Sequence, residues 1–170
     1  IIIVAGGGCF ADSVRFAFKK TSMTDKLANT LALKATEIFS NYMKDINKNF
    51  YLTSNKHFKR KCINVWLPSA ILSNEKSFKK NWNSTSDSVA AWLSANIKAD
   101  GLVFVKSLNK FNSTNKLSVL QKKNIIDKNA STYLKSFKGE IKITGLDILK
   151  ILEKNNNWDS CIKDFGEVVL

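Results

Sequence analysis

The sequence predicts an α/β protein, a three-layer α/β/α sandwich on a mostly parallel sheet. Short apolar runs rich in β-branched residues alternate with segments whose apolar residues recur at helical spacing. Parallel strands are buried on both faces, so this alternation favours a sheet that is covered by helices on both sides. A chain of 170 residues is long enough for one sizeable core, and we expect a single domain over residues 1–170.

The first strand and the first two helices are predicted by the start of the chain. The isoleucine-rich run at residues 1–5 is typical of a buried strand, and a helical pattern follows over residues 9–20. A polar break supplies Ser, Thr and Asp as capping residues for a longer helix over residues 26–43. The expected apolar face of that helix consists of Leu27, Leu31, Ala35, Ile38 and Tyr42.

The middle of the chain predicts one strand and one good helix. Residues 45–61 are polar, basic and aromatic, and they carry no assignable pattern. Residues 62–67 form an apolar run that predicts a strand, and Pro68 ends it. Residues 69–80 predict a short helix or a loop, whereas the hydroxyl-rich segment before Val89 begins a helix over residues 84–97.

The last third of the chain repeats the alternation around one long polar segment. The continuous apolar run at residues 102–105 predicts a buried strand after the break at Asp100 and Gly101. Residues 107–124 predict a long polar loop, and loops of that length are often functional. The remaining predicted elements are helices over 128–137 and 146–154 and strands over 140–143 and 167–170.

The chain is strongly basic, with a formal net charge of +13. Such a charge favours either an anionic partner or a solvated lysine surface that reflects biased composition. Arg15 and Arg60 are the only arginines, whereas proteins that read bases and phosphates usually rely on arginine forks. We therefore expect no nucleic-acid partner.

The cysteines and the hydropathy of the sequence indicate the cellular compartment in which we expect the protein. Cys9, Cys62 and Cys161 are odd in number, widely scattered and without metal-ligand spacing, which favours a reduced cytoplasmic compartment. No apolar run approaches the roughly 18 residues that span a membrane, and no membrane partner is expected.

The glycine cluster at Gly6, Gly7 and Gly8 is the first candidate site. Glycines between a strand and a helix expose backbone N–H groups near the positive end of the helix, where an anion can bind. Arg15 lies about two helical turns further on and could reach the same anion. The alternative is a tight turn followed by a surface arginine.

Two further candidates lie at a helix start and at a strand end. Asp87 falls in the first turn of a predicted helix, among many hydroxyls, where it could hold a lysine or a metal. The alternative is that the helix dipole alone favours an aspartate there. Lys106 and Ser107 follow the strand at 102–105, and the carboxyl ends of parallel strands commonly bind ligands. A lysine reaching solvent is the alternative there. His57, the only histidine, has no triad-like partner and reads as a surface residue.

Four segments together resemble the amino acid kinase superfamily, and within it the small kinases of methanofuran biosynthesis. They are residues 4–15, with the glycines and Arg15; 24–35; 82–93, with Asp87; and 102–107, with Lys106 and Ser107. The resemblance implies ATP-dependent transfer of the γ-phosphoryl group to a phosphate or carboxylate of a small molecule, with Mg²⁺ neutralising charge, in a homo-oligomer. It also implies roles for the site residues: Gly6, Gly7, Gly8 and Arg15 beside the acceptor substrate, Asp87 orienting catalytic lysines, and Lys106 and Ser107 near ATP.

The resemblance leaves alternatives open where the chain departs from the family. The family opens with a lysine-bearing strand–helix unit, and this sequence begins after it, so we expect an N-terminally incomplete fold. Asn109 and Lys110 stand where the nucleotide loop of the family usually carries Asp and Gly. Glu167 stands where the closing motif of the family prefers Thr after Gly. The alternatives are a catalytically inactive nucleotide-binding or regulatory subunit of the same fold, and a uridylate-type kinase.

Overall fold

The computed structural model describes residues 1–155 and 157–170 and contains alternating strands and helices. The strands are β1 (Ile2–Val4), β2 (Phe50–Thr53), β3 (Ile63–Trp66), β4 (Gly101–Val105), β5 (Thr114–Lys116), β6 (Glu140–Thr144) and β7 (Gly166–Val169). The helices are α1 (Gly8–Lys20), α2 (Asp25–Ile46), α3 (Ser69–Leu72), α4 (Ser86–Ile97), α5 (Leu117–Lys122), α6 (Ala130–Leu134), α7 (Ile148–Lys154) and α8 (Trp158–Lys163). The chain divides into two compact units, Ile1–Ala90 and Ala91–Leu170, with the boundary inside α4.

The first unit contains a three-stranded parallel sheet in the order β1-β3-β2. Because all three strands run the same way, their carboxyl ends lie at one edge, where the glycine cluster leaves β1. Helices α1 and α2 pack against each other, and the fully buried side chains of Val65, Trp66 and Leu72 belong to the core of this unit.

The second unit contains a four-stranded sheet in the order β4-β6-β7-β5. The pairs β4–β6 and β5–β7 are parallel, whereas β6 and β7 are antiparallel. Its core includes Phe104, Ile126, Leu134 and Ile143, all buried. The prediction of an α/β fold with mostly parallel strands is confirmed, and the antiparallel pair is a feature that the alternating pattern did not predict.

Helix α2 buries a different face from the one that its apolar periodicity predicts. Ala35 is buried as expected, but Leu27, Ile38 and Tyr42 are about half exposed. The buried face is instead made of small and polar residues: Ala28, Asn29, Leu33, Ala35, Thr36 and Ser40. Thr36 and Ser40 can be buried because their hydroxyls donate to carbonyls of the helix itself, those of Leu33 and Thr36.

The long segment predicted as a polar loop, residues 107–124, contains a strand and a helix. Strand β5 has the sequence Thr-Asn-Lys, which has little intrinsic strand preference, and it is held by parallel pairing with β7. Helix α5 has six residues, too few for a visible helical period, and is held by the buried side chains of Leu117 and Leu120. Strand β2 and helix α8 were likewise not assigned from sequence.

None of the helices in the described part of the chain is both long and apolar enough to cross a membrane.

Replacing Leu134 by Ala should destabilise the protein, because its side chain is fully buried in the core of the second unit. Cavity formation at such a site typically costs about 2–5 kcal/mol. Leu149→Ala is the matched control, since Leu149 is 65% exposed and surface changes usually stay within about 0.5 kcal/mol. Urea unfolding monitored by circular dichroism measures both, and equal losses would contradict the core described here.

Candidate functional site

The three glycines between β1 and α1 are not equivalent. A Cβ on Gly7 would overlap the methyl group of Ala11, one turn along α1. Gly8 has a φ of +50°, which favours glycine, and a Cβ there would lie 3.1 Å from the Phe39 ring. A Cβ on Gly6 would meet nothing within 4 Å. Local packing and backbone conformation therefore account for Gly7 and Gly8, whereas Gly6 is exposed and open to approach.

The amino terminus of α1 presents backbone donors without a capping side chain. Gly7 is the N-cap residue, it supplies no side-chain hydrogen bond, and no acidic residue occupies the first turn of the helix. The first N–H groups of a helix lack intrahelical partners and lie at the positive end of the helix dipole. The sequence prediction of an anion-attracting helix start thus has a local structural basis in these 13 residues.

Arg15 lies two turns along α1 and forms an ion pair with Asp12 on the same helix. Both side chains of the pair are substantially exposed. Exposed pairs of this kind contribute only about 0–1 kcal/mol. A competing anion near Arg15 could therefore displace Asp12 at little cost in free energy.

A cavity of about 60 Å³ lies between Arg15 and two other segments of the first unit. Its lining residues come from α1, from α2 and from the segment that leads into α4: Gly7, Ala11, Arg15, Ala32, Leu33, Thr36, Trp82, Ser84, Thr85 and Ser86. Pockets that enclose drug-sized ligands measure roughly 300–1,000 Å³, whereas one water needs roughly 10–15 Å³. This cavity, which we call the anion cavity, has room for one small group such as a phosphate.

The structure brings together only some of the predicted residues of the first unit. Gly7 and Arg15 line the anion cavity, while Gly6 and Gly8 flank Gly7 in the chain. Asp87 follows Ser86 as the second residue of α4 and is 8% exposed. Its position in the first turn matches the sequence prediction, but the role inferred for it, like the roles of the other predicted residues, stays a prediction.

Several residues that line the anion cavity were not singled out from sequence. The ring of Trp82 stacks on Phe18 of α1, with centroids 4.7 Å apart and planes inclined by 27°. Leu33 and Thr36 were missed because the apolar periodicity of α2 indicated the opposite face as buried. The hydroxyls of Ser84, Thr85 and Ser86 did give a sequence signal, since they form a dense run before an apolar helix.

In the second unit, Lys106 and Ser107 directly follow β4 as predicted. The Lys106 N–H donates to the Thr144 carbonyl at 3.0 Å, which continues the pairing of β4 with β6. A cavity of about 430 Å³ lies in the segment that follows, and we call it the lysine cavity. It is lined by Leu108, Lys110, Phe111, Asn112, Thr114, Asn115, Lys116, Val119, Leu120, Lys123 and Ile125.

The lysine cavity has the size and charge of a site for a small anionic molecule. Its volume falls in the usual range for ligand pockets, and Lys110, Lys116 and Lys123 bring three cationic side chains to its wall. Lys106 and Ser107 are not among its lining residues. The three lysines were not singled out from sequence, because residues 107–124 showed no periodicity that would place them on one surface.

The described residues contain no group of three or more His, Cys, Asp or Glu side chains that could hold a metal ion. Mg²⁺ in phosphoryl-transfer sites keeps several waters and takes only one or two carboxylates beside the substrate phosphates.

Comparison with solved structures identifies the fold. The chain resembles UMP kinase from Ureaplasma parvum with a TM-score of 0.61 and 16% identity, over 99% of this chain and 81% of that one. It resembles uridylate kinase from Archaeoglobus fulgidus with a TM-score of 0.65 and 15% identity, over 99% of this chain and 84% of that one. These likenesses confirm the predicted fold class: the chain has the amino acid kinase fold.

Sequence comparison gives one curated relative. Over 99 residues the chain is 29% identical to a [5-(aminomethyl)furan-3-yl]methyl phosphate kinase from Methanocaldococcus jannaschii, a match that covers 55% of this chain and 45% of that kinase. The matched part therefore spans less than half the length of that relative. No protein-family model matches the chain. The resemblance to the amino acid kinase superfamily, including its methanofuran-type kinases, is confirmed.

Substitution by alanine should separate the packing role of the glycines from any ligand role. Gly7→Ala should lower the free energy of unfolding by about 1–3 kcal/mol, because the added methyl group overlaps Ala11. Gly6→Ala is the matched control and should unfold like the unsubstituted protein, because nothing lies within 4 Å of the new Cβ. Thermal melting of both variants tests this, and a Gly6→Ala variant as unstable as Gly7→Ala would contradict it.

Proposed function

We propose that this protein is an ATP-dependent kinase that transfers the γ-phosphoryl group to a phosphate or carboxylate of a small molecule. The observation that carries the proposal is the anion cavity, where Arg15, the open amino end of α1 and a run of hydroxyls face one small space. The amino acid kinase fold and the kinase relatives support the reaction class.

The anion cavity would bind the acceptor group. A guanidinium offers up to five N–H donors in a planar fork that matches the oxygens of a phosphate or carboxylate. The exposed Asp12 carboxylate is a weak competitor for Arg15, and the helix dipole at Gly7 and Gly8 favours the same charge. Backbone at Gly6 could approach the acceptor closely because no side chain intervenes.

The lysine cavity would bind the phosphates of the nucleotide. Three lysines can oppose the charge of a triphosphate, and about 430 Å³ accommodates a nucleotide-sized ligand. Lys106 and Ser107 directly precede Leu108, the first residue that lines this cavity, and their place near ATP is part of the proposal. Lys110 stands where the family resemblance implies a glycine, and in this proposal its side chain adds a cation to the cavity wall.

The reaction needs positioning and positive charge more than a strong base. An acceptor oxygen attacks the γ-phosphorus in line, the bond from that phosphorus to the β–γ bridging oxygen breaks, and ADP leaves with the bonding electrons. Fixed cations and backbone donors stabilise the charge on the transferred group. Mg²⁺ would enter bound to ATP and would neutralise part of the charge on the phosphates.

The acceptor is a phosphate monoester in the version of the proposal that we favour. The curated relative is named as the kinase of an aminomethylfuran phosphate, which suggests cofactor biosynthesis of the methanofuran type. A uridylate-type acceptor is the second candidate, because the similar solved structures are UMP kinases. A homo-oligomer and a catalytically inactive, nucleotide-binding subunit stay as predictions from the sequence.

Replacing Arg15 by Gln should raise the KM for the acceptor at least tenfold and leave the KM for ATP within about twofold. The physical reason is that one guanidinium–anion contact typically contributes about 1.5–3 kcal/mol. Lys19→Gln removes a positive charge further along the same exposed helix and serves as the control. Steady-state kinetics on the full-length protein, with aminomethylfuran phosphate and UMP as alternative acceptors, would measure both constants.

Replacing Lys116 by Gln should show the reverse pattern, with a higher KM for ATP and an unchanged KM for the acceptor. Lys116 lines the lysine cavity, whereas Lys138 lies outside it and supplies the matched control. Binding of ATP without turnover of either acceptor would favour the inactive-subunit alternative. Failure to bind ATP and to phosphorylate either acceptor would overturn the proposal.

A further inference from the structure

A buried asparagine on α2 binds the segment that leads into α4. Asn29 is 1% exposed, and its side-chain nitrogen Nδ2 donates to the Ser84 carbonyl at 2.6 Å and to the Asn81 carbonyl at 3.1 Å. These contacts join residues that are more than 50 positions apart in the chain. One amide group therefore holds two points of the same short segment.

The segment held by Asn29 is a four-residue turn. The Ser84 N–H donates to the Asn81 carbonyl at 3.0 Å, which closes the turn, and the Asn81 side-chain oxygen accepts from the Asn83 N–H at 3.1 Å. Trp82 lies inside the turn, and its ring stacks on Phe18 of α1. Asn29 thus links α2 to a turn whose aromatic residue packs on α1.

The two hydrogen bonds account for a polar residue at a site that otherwise disfavours one. The other polar atom of Asn29, Oδ1, is buried and has no hydrogen-bond partner among the described residues. An unpaired buried acceptor is unfavourable because burial removes its hydrogen bonds to water and supplies no replacement. A leucine at position 29 would avoid that cost but would leave the Asn81 and Ser84 carbonyls without the amide donor.

The turn and the helix that Asn29 joins are two walls of the anion cavity. Trp82 and Ser84 belong to the turn, and Leu33 and Thr36 lie on the Asn29 face of α2, one and two turns further on. The third wall is the α1 wall, which carries Gly7 and Arg15. The distance between the hydroxyl-rich segment and Arg15 therefore depends on how the turn is fixed to α2.

We infer that Asn29 is a positioning residue for the acceptor site: it fixes the turn at residues 81–84 so that the following hydroxyls face Arg15 across the anion cavity. This inference rests on the proposed function. Asn29 itself touches no substrate, because its side chain is enclosed. Its loss should weaken acceptor binding without changing the lysine cavity, which is lined by residues 108–125.

The test uses the full-length protein with Asn29→Leu and Asn29→Asp. Leucine removes the donor, and aspartate keeps the shape while placing a carboxylate against two carbonyls. Each variant should raise the KM for the acceptor about tenfold or more and leave the KM for ATP within about twofold, because the Asn81 and Ser84 carbonyls lose the donor that holds the turn against α2. Asn41→Asp is the matched control on the same helix, because the Asn41 side-chain nitrogen donates within α2, to the Glu37 carbonyl one turn back.

A binding measurement gives a readout that does not require turnover. Inorganic phosphate should change the tryptophan fluorescence of the unsubstituted protein, and Trp82→Phe should abolish that change. Asn29→Leu should need at least tenfold more phosphate for the same change, and Asn29→Asp should recover part of the affinity at acidic pH, where a protonated carboxyl can donate one hydrogen bond.

The outcomes separate this inference from the proposed function. Absence of both phosphate binding and kinase turnover in the unsubstituted protein would count against the proposed function and remove the basis of the inference. Normal turnover with equal acceptor KM values in the Asn29 and Asn41 variants would overturn the inference alone. Unfolding of both Asn29 variants, read by circular dichroism, would assign Asn29 to global stability and would also overturn it.

Discussion

The packing of the first unit depends on the buried face of α2. Asn29, Leu33, Thr36 and Ser40 recur at helical spacing along one side of this 22-residue helix. The threonine and serine hydroxyls bond to carbonyls of their own helix, so they can be buried without partners elsewhere. Only the asparagine directs its donor outward, to the turn before α4. Because the hydroxyls on this face bond within α2, the segment before α4 can pack closely against it. The Asn29 amide fixes the position of that segment through its two hydrogen bonds.

The glycine cluster shows how packing and ligand access can share one short sequence. Gly7 and Gly8 are required by Ala11, by Phe39 and by a left-handed backbone, whatever the protein binds. Gly6 has no such reason, and its exposed backbone lies at the carboxyl edge of the parallel sheet, the usual location of ligands in this class of fold. Packing and backbone conformation therefore explain Gly7 and Gly8, whereas open access to the backbone distinguishes Gly6.

Much of the fold could be predicted from the sequence, because buried strands such as β4 and long helices such as α2 leave strong apolar patterns. The strand β5 and helix α5 could not, since three and six residues are too short for a period and are held by partners distant in sequence. Of the residues that line the anion cavity, the sequence marked Gly7 and the hydroxyls of residues 84–86, because glycine and hydroxyl clusters stand out in the pattern. Asn29 and Thr36 escaped prediction because periodicity counts apolar residues, whereas this helix buries a polar face and exposes Leu27 and Tyr42.

The exposed apolar stripe of α2 has a consequence for the colloidal behaviour of the protein. Leu27, Ile38, Tyr42 and Ile46 face solvent on a molecule whose formal charge is +13. In dilute buffer, repulsion between like-charged copies keeps these stripes apart, because the Debye length is about 30 Å at 0.01 M salt. At about 0.15 M it falls to about 8 Å, so the repulsion between copies is screened beyond that separation and opposes their approach less. Added salt should therefore favour contact between these apolar stripes, whereas it weakens associations that depend on opposite charges.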